Sequence, residues 1–560
     1  MTADTRRAAA ALILLLTAAA VHAAPAPPPK LVVVLVVDQM RGDYIQRYGF
    51  QWTGGLRRMV DGGAWFSRAA YPYLTTVTCV GHATISTGAF PRTHGIVDNA
   101  WFDRSLGRSV GCSSDPARTT ISYAAPADGG YGPWRLQSST LSDELRAQLP
   151  VPARVVTMSI KARAAITLAG DRADAVTWFD AAAGGFVTSS AYTPAPVPFV
   201  EAFTKANPVT ADFGKVWTRS LPAERYLFAD AGRGEKPASF WSAEFPHALK
   251  AKGDAPDGRF FEAWEGSPFS DDYLGRLAIA SVDALKLGQG RGTDFLGVSF
   301  SALDYVGHDF GPTSHEVQDT LARLDRTIGN LLDHLDRSVG AGNYVMAFSA
   351  DHGASPIPEQ VAALGVDAGR LDSAAVRQAA QQALEAAFGP GSYEVRGQYS
   401  DLNLDPGAVE KVRRDPRAAE DVLRAVRTVP GVAAAFFAEQ LDSHAAAGDR
   451  DARAALLSYY PGRSGDLIVI PKPYWFFVSA DGTAQPGSAS SHGTMYGYDQ
   501  RVPVVLFGKG IEPGEYTSAV TPADIVPTLA HLCGVTLAHA DGEVLTEALA
   551  QPAPAARRGR

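Results

Sequence analysis

The run Leu31-Val-Val-Val-Leu-Val-Val37 is apolar without a break, β-branched at five of seven positions, and ends on Asp38. A run that never alternates cannot lie half in water, so it reads as a strand covered on both faces, as in a parallel sheet flanked by helices. Two later stretches repeat the pattern: residues 295–302 lead to Asp304 and His308, and residues 343–349 lead to Asp351 and His352. Each delivers a carboxylate just past its C-terminal end, the edge at which doubly wound sheets bind ligands. Further strands are expected at 154–159, 465–470 and 502–507, with helices such as 316–337 between them. The expected class is α/β, with a mostly parallel central sheet flanked by helices and carrying cap insertions.

Two stretches break that alternation. Residues 170–272 are rich in Ala, Pro, Gly and aromatics with many turn signals, and read as a cap over the sheet edge. Residues 364–460 pair helical runs at 373–387 and 408–429 with short strands at 393–399 and 432–438, a small α+β insert. No internal repeat is present, so residues 24–560 are expected to form one catalytic unit with two insertions, the tail after Gln551 being frayed.

At the N-terminus, Arg6-Arg7, an apolar run from Ala8 to Ala20 and then Val21-His-Ala23 fit a cleavable signal peptide over residues 1–23, which implies a periplasmic or secreted protein. No later stretch of about 20 apolar residues offers a membrane span. The net charge of −8 and the lack of a long Lys/Arg run argue against nucleic acid as partner. An anionic substrate would therefore need local positive groups. Cys79, Cys112 and Cys533 are too few for a disulfide framework, but an oxidising compartment allows one bridge. Cys79–Cys112 is the expected pair, since both flank the candidate site in sequence.

That site centres on Thr75-Thr-Val-Thr-Cys-Val-Gly-His-Ala-Thr-Ile-Ser-Thr-Gly88. Hydroxyls cluster before a helical run at 80–86, so Thr78 sits where first-turn N–H groups are unpaired and the dipole is positive. An alkoxide or phosphate is stabilised there, although the same threonines could simply cap the helix. Asp38, Asp304, His308, Asp351, His352 and His492, the last from Ser490-Ser-His-Gly-Thr494, suit two divalent metals with mixed N/O ligation, zinc being the first choice. His82, His94, His247, His315, His334, His444, His531 and His539 read as caps, core or surface groups.

Together these residues resemble the alkaline phosphatase superfamily, and within it the bacterial threonine-nucleophile alkaline phosphatases, which are related to nucleotide pyrophosphatase/phosphodiesterases. The motifs are Val32 to Asp38, Thr78-Cys-Val-Gly-His82, Thr93-His-Gly-Ile-Val-Asp-Asn99, Asp351-His352-Gly353 and His492, spread over nearly the whole mature chain. The resemblance implies an alkaline phosphatase-like core and two Zn²⁺. Asp304, His308 and His492 would hold one ion, and Asp38, Asp351, His352 and the Thr78 oxygen the other. It also implies Thr78 as nucleophile, with Asn99, Lys161 and Arg163 on the phosphoryl oxygens. A monomer acting on small phosphate monoesters through a phospho-threonine is expected.

Other branches fit less well. Cys79 is followed by Val80, Gly81, His82 and Ala83, which lacks the arylsulfatase signature. Phosphodiesterases share the threonine, asparagine and metal set, so Lys161-Ala-Arg163 decides: in threonine-type monoesterases such cations hold oxygens that a diester would substitute. Two zinc ions, three Asp, Lys161 and Arg163 sum to about +3, matching the roughly −3 of a monoester dianion with a Thr78 alkoxide. The alternative is an exported nucleotide phosphodiesterase. A phosphoglycerate mutase is disfavoured by export and by threonine as nucleophile. A metal-binding protein without turnover has no need of Thr78, Asn99, Lys161 and Arg163 together.

Overall fold

The computed structural model describes residues 27–550 except 239, 392, 394 and 479–487. The expected signal peptide, residues 1–23, and the tail from Gln551 lie outside the described residues.

The central sheet has ten strands: β1 Leu31–Val37, β2 Ala64–Phe66, β3 Thr120–Ser122, β4 Val155–Ser159, β5 Ala175–Asp180, β6 Gly185–Ser189, β7 Asp294–Phe300, β8 Tyr344–Ser349, β9 Val504–Gly508 and β10 Gly514–Tyr516. Their order is β10-β2-β9-β8-β1-β7-β4-β5-β6-β3, and the five from β8 to β5 run parallel. All seven residues of β1 are buried. Its alternate side chains enter two different cores, Leu31, Val33, Leu35 and Val37 in one and Val32, Val34 and Val36 in the other. That two-sided burial is why the run shows no polar alternation.

Register carries the site. Leu31 to Val36 stand level with Asp294 to Ser299 on one side and Tyr344 to Ser349 on the other. Strands that are parallel and in step end at one edge, so the residues following β1, β7 and β8 emerge together. The helices that matter there are α1 Thr78–Thr87, α2 Ala162–Ala169, α3 Ala302–Phe310 and α4 His315–Ser338.

Four expectations are corrected. The apolar run expected at 465–470 forms Leu467–Pro471, but it joins a separate four-stranded sheet with Arg396–Gln398, Asp401–Asn403 and Val432–Phe437. Apolarity marks a strand without naming its partners, so the insert expected to close at 460 extends past this strand. Within 170–272, β5 and β6 form a hairpin that continues the central sheet, with Asp180 opposite Gly185. What stands off the sheet therefore begins after Ser189. The single helix expected at 408–429 is two, Pro406–Arg414 and Pro416–Arg427. Pro416 offers no N–H and disfavours helical backbone at Asp415, whose carboxylate caps the second helix instead. The strand expected to reach 302 stops at Phe300, and Asp304 and His308 lie one turn apart on α3 rather than in a strand-end loop.

Candidate active site

Helix α1 begins at Thr78 itself, with extended Val77 before it, and is buried along its whole length. No side chain of its own sequence caps it. Thr76 Oγ1 donates to Thr494 O at 2.8 Å, Thr84 Oγ1 lies between Tyr73 Oη and His94 Nε2, and Thr75 N donates to Ser458 Oγ at 2.9 Å. The simple capping reading of these threonines is thereby excluded. The orphan first-turn N–H of Cys79 goes to Asn99 Oδ1 at 2.8 Å. With that oxygen turned to the helix, the Asn99 amide nitrogen faces away from it as a donor. Arg163 Nη2, on the first turn of α2, is 3.4 Å from Thr78 Oγ1.

Asn99 is held from two more sides. Cys112 N donates to Asn99 O at 2.9 Å, and Asn99 N donates to the buried Asp98 Oδ1 at 2.6 Å. Cys79 and Cys112 are joined by a disulfide, the expected pair, while Cys533 is a free buried thiol. The bridge therefore ties the residue after Thr78 to the turn following strand Arg108–Gly111, whose Cys112 N–H holds the Asn99 carbonyl.

The strand-end acids and histidines assemble into two compact groups, Asp304 with His308 and His492, and Asp38 with Asp351 and His352, the ligand atoms of each lying within 4.8 Å of one another. In all three histidines Nδ1 is engaged by a backbone carbonyl: His308 by Ser490 O at 2.9 Å, His352 by Gly353 O at 3.0 Å and His492 by Thr76 O at 2.9 Å. That arrangement fixes the ring so that, in its neutral form, Nε2 is the free lone pair facing the carboxylates, as metal-ligating imidazoles require. Asp38 Oδ1, Asp351 Oδ2 and His352 Nε2 are buried without hydrogen-bond partners. Such atoms are costly unless a cation takes them, so the Asp38, Asp351 and His352 group fits a divalent metal, while the Asp304, His308 and His492 group fits one by its set of one carboxylate and two imidazoles.

The buried acids and imidazoles differ in their electrostatics. Burial, then the neighbouring Asp304 and Asp351, push Asp38 well above the usual carboxylate range despite Lys161. Burial works against Asp304 too, but Lys161, His308 and His492 hold it well below. Burial keeps His352 and His492 below the usual imidazole range, whereas Asp304 lifts His308 above it against burial. Lys161, expected to reach phosphoryl oxygens, is a buried ammonium paired with Asp38 at 2.7 Å and with Asp304.

Three positioning residues escaped the sequence reading. His82, read there as a cap, core or surface histidine, lies inside the site: Nε2 meets Ser299 Oγ at 2.7 Å, Nδ1 meets Thr78 O at 2.8 Å, and Nδ1 is 3.2 Å from Asp351 Oδ2. Ser458, from the insert, accepts from the N–H groups of Leu74 and Thr75 in the segment leading to Thr78. Gln39 touches both ligand groups. Only the Thr78-to-His82 helical spacing, which directs both residues to one face, was a legible signal.

A hydroxyl at a helix start, an arginine upon it and two metal-ready groups at one edge of an α/β sheet define a metal-dependent phosphoester hydrolase. The sequence profile of the type I phosphodiesterase / nucleotide pyrophosphatase family matches residues 32–499, and the chain belongs to that family, within the alkaline phosphatase superfamily. Alkaline phosphatase PhoV of Synechococcus elongatus is 30% identical over 525 residues, 92% of either chain. Alkaline phosphatase PafA of Elizabethkingia meningoseptica is 31% identical over 528 residues, 92% of this chain and 93% of its own. A protein of Myroides odoratus named calcium-transporting ATPase is 29% identical over 536 residues, 92% and 94% of the two chains. The crystal structure of wild-type PafA superposes with a TM-score of 0.84 at 30% identity, covering 94% of this chain and all of that one. PafA has also been solved with one threonine, one asparagine, one lysine and one arginine substituted together.

Proposed function

We propose that this enzyme is an exported, zinc-dependent phosphatase that hydrolyses phosphate monoesters through a phospho-threonine at Thr78. The observation that carries the reading is the convergence on Thr78: Arg163 Nη2 stands 3.4 Å from its oxygen, and the Asn99 carboxamide is oriented by the next N–H of the same helix. The four positions substituted together in PafA have the same sequence spacings as Thr78, Asn99, Lys161 and Arg163, which supports their acting as one unit. The names of the two alkaline phosphatase relatives support a monoester as substrate.

In this reading Thr78 Oγ attacks phosphorus in line while the alcohol leaves, and water then releases phosphate and restores the hydroxyl. Arg163 favours the ionised oxygen, and the Asn99 amide donates to an equatorial oxygen whose charge grows in the transition state. Asp304, His308 and His492 would hold one ion, and Asp38, Asp351 and His352 a second. When bound, two Zn²⁺ supply the charge that acidifies the attacking hydroxyl and a water and that balances the leaving oxygen. Because Thr78 reacts deprotonated, activity rises toward alkaline pH.

Thr78→Ala should abolish hydrolysis of an aryl phosphate; near wild-type turnover in that variant refutes the assignment. A nucleotide phosphodiesterase is the competing reading, since the matched family profile carries that description. Comparing an aryl phosphate with its methyl ester separates the two, and the methyl ester being much the better substrate would establish the competitor. The Cys79–Cys112 bridge supports an oxidising compartment and hence export. N-terminal sequencing of the exported protein should begin near Ala24; retention of the first 23 residues would contradict it.

A further inference from the structure

Gln39 is a buried glutamine in the left-handed backbone region, at φ 65°. For a residue with a Cβ that conformation costs about 1 kcal/mol or more and persists only where surrounding contacts demand it. The contacts here are specific. The Gln39 N–H donates to Asp351 Oδ1 at 3.1 Å, and its side-chain Nε2 donates to Asp304 Oδ1 at 2.7 Å. Gly307 makes the room, for a Cβ there would overlap Gln39 Oε1. Gln39 also follows Asp38 directly, so one residue is bonded to, or adjacent to, all three acids of the two ligand groups.

We infer that Gln39 is a positioning residue shared by the two metal groups, orienting Asp304 through its side chain and Asp351 separately through its backbone N–H. The inference rests on the two-ion reading above. The turn after β1 has to aim the N–H at one carboxylate and the carboxamide at the other, and the left-handed conformation does both. By taking one lone pair of Asp304 Oδ1, the amide keeps that oxygen turned toward His308 Nε2 and His492 Nε2, which lie 3.3 and 3.7 Å away. The second oxygen remains with Lys161.

The two roles separate by mutation. Gln39→Gly adopts the same φ without strain and keeps the N–H to Asp351, but loses the amide to Asp304. Gln39→Met keeps the length and volume while also losing that donor. In the zinc-loaded full-length protein, both variants should release one ion to a chromophoric chelator about 10- to 100-fold faster than wild type, as removal of outer hydrogen bonds to metal ligands does, while the other ion leaves at the wild-type rate. Loading with Co²⁺ identifies the faster ion by its visible spectrum, which should be that of the site with two histidines. Gln39→Asn, which keeps a shorter amide, should restore part of the retention. Release of both ions at the wild-type rate, or equal acceleration of both, overturns the inference; if Gln39→Gly does not fold, Gln39→Met decides. Fewer than two ions bound by the wild type would instead overturn the two-ion reading, whatever Gln39 does.

Discussion

Cutting the Cys79–Cys112 bridge should cost catalysis as well as stability, and the two losses can be measured apart. The cysteines are 33 residues apart, so in the chain-entropy model the cross-link contributes about 3.7 kcal/mol at 25 °C. The catalytic loss comes from Asn99, whose side-chain and backbone oxygens accept from Cys79 N at 2.8 Å and Cys112 N at 2.9 Å. With the bridge gone, both bonds rest on packing alone and the Asn99 amide loses its fixed place relative to Thr78. Removing one donor of an oxyanion site outright lowers turnover by about 100-fold or more, which bounds the effect; loosening the donor should cost about tenfold. The assay is kcat on an aryl phosphate for Cys79→Ala/Cys112→Ala, alone and combined with Asn99→Ala, alongside urea unfolding of each. Because bridge and asparagine act through one contact, their effects on kcat should be strongly non-additive, with little further loss from the cysteine pair once Asn99 is gone. Full additivity, or an unchanged kcat in the unbridged enzyme, refutes the reasoning even if stability falls as calculated.

Gly81→Ala places a methyl against the Asp351 backbone, so it should destabilise the fold by about 1–3 kcal/mol and reduce zinc retained after dialysis, read by thermal unfolding and metal analysis. Ser458→Ala strips Thr75 N of its acceptor and leaves Leu74 N only Ala454 O at 3.0 Å; it should lower kcat several-fold with little change in KM, checked by steady-state kinetics. Burial pushes Glu316 up to about 9 from an ordinary 4.5, so the folded chain holds a proton that the unfolded chain gives up across that range. Its contribution is complete below pH 4.5 and is lost as pH rises toward 9, and Glu316→Gln should flatten the decline in urea-unfolding stability between these limits. A slope unchanged in the Gln variant would show that Glu316 is not its source.

The features written in contiguous residues were legible without coordinates. Two-sided burial of β1 shows as an unbroken apolar run, and the acids after β1, β7 and β8 belong to the segments that position them, so Asp38, Asp304 and Asp351 could be grouped before their distances were known. The Thr78 helix was likewise local in sequence. Helix breaks follow the same rule: Pro416 was there to be read, and its effect on the 408–429 stretch was not.

Other properties depend on residues far apart along the chain. The contact of Gln39 with Asp351 spans 312 positions and that of His82 with Ser299 spans 217, so no periodicity or spacing encodes them. Ser458 reaches Thr75 from an insert in which the strand Leu467–Pro471 resembled a core strand by composition alone. Lys161 pairs with Asp38, 123 positions away, and with Asp304, 143 positions away, a meeting that only packing determines. Sequence thus decided which groups meet at the sheet edge, since parallel strands in register bring their C-terminal ends together. The aim of each group was set by hydrogen bonds that exist only once distant segments are packed.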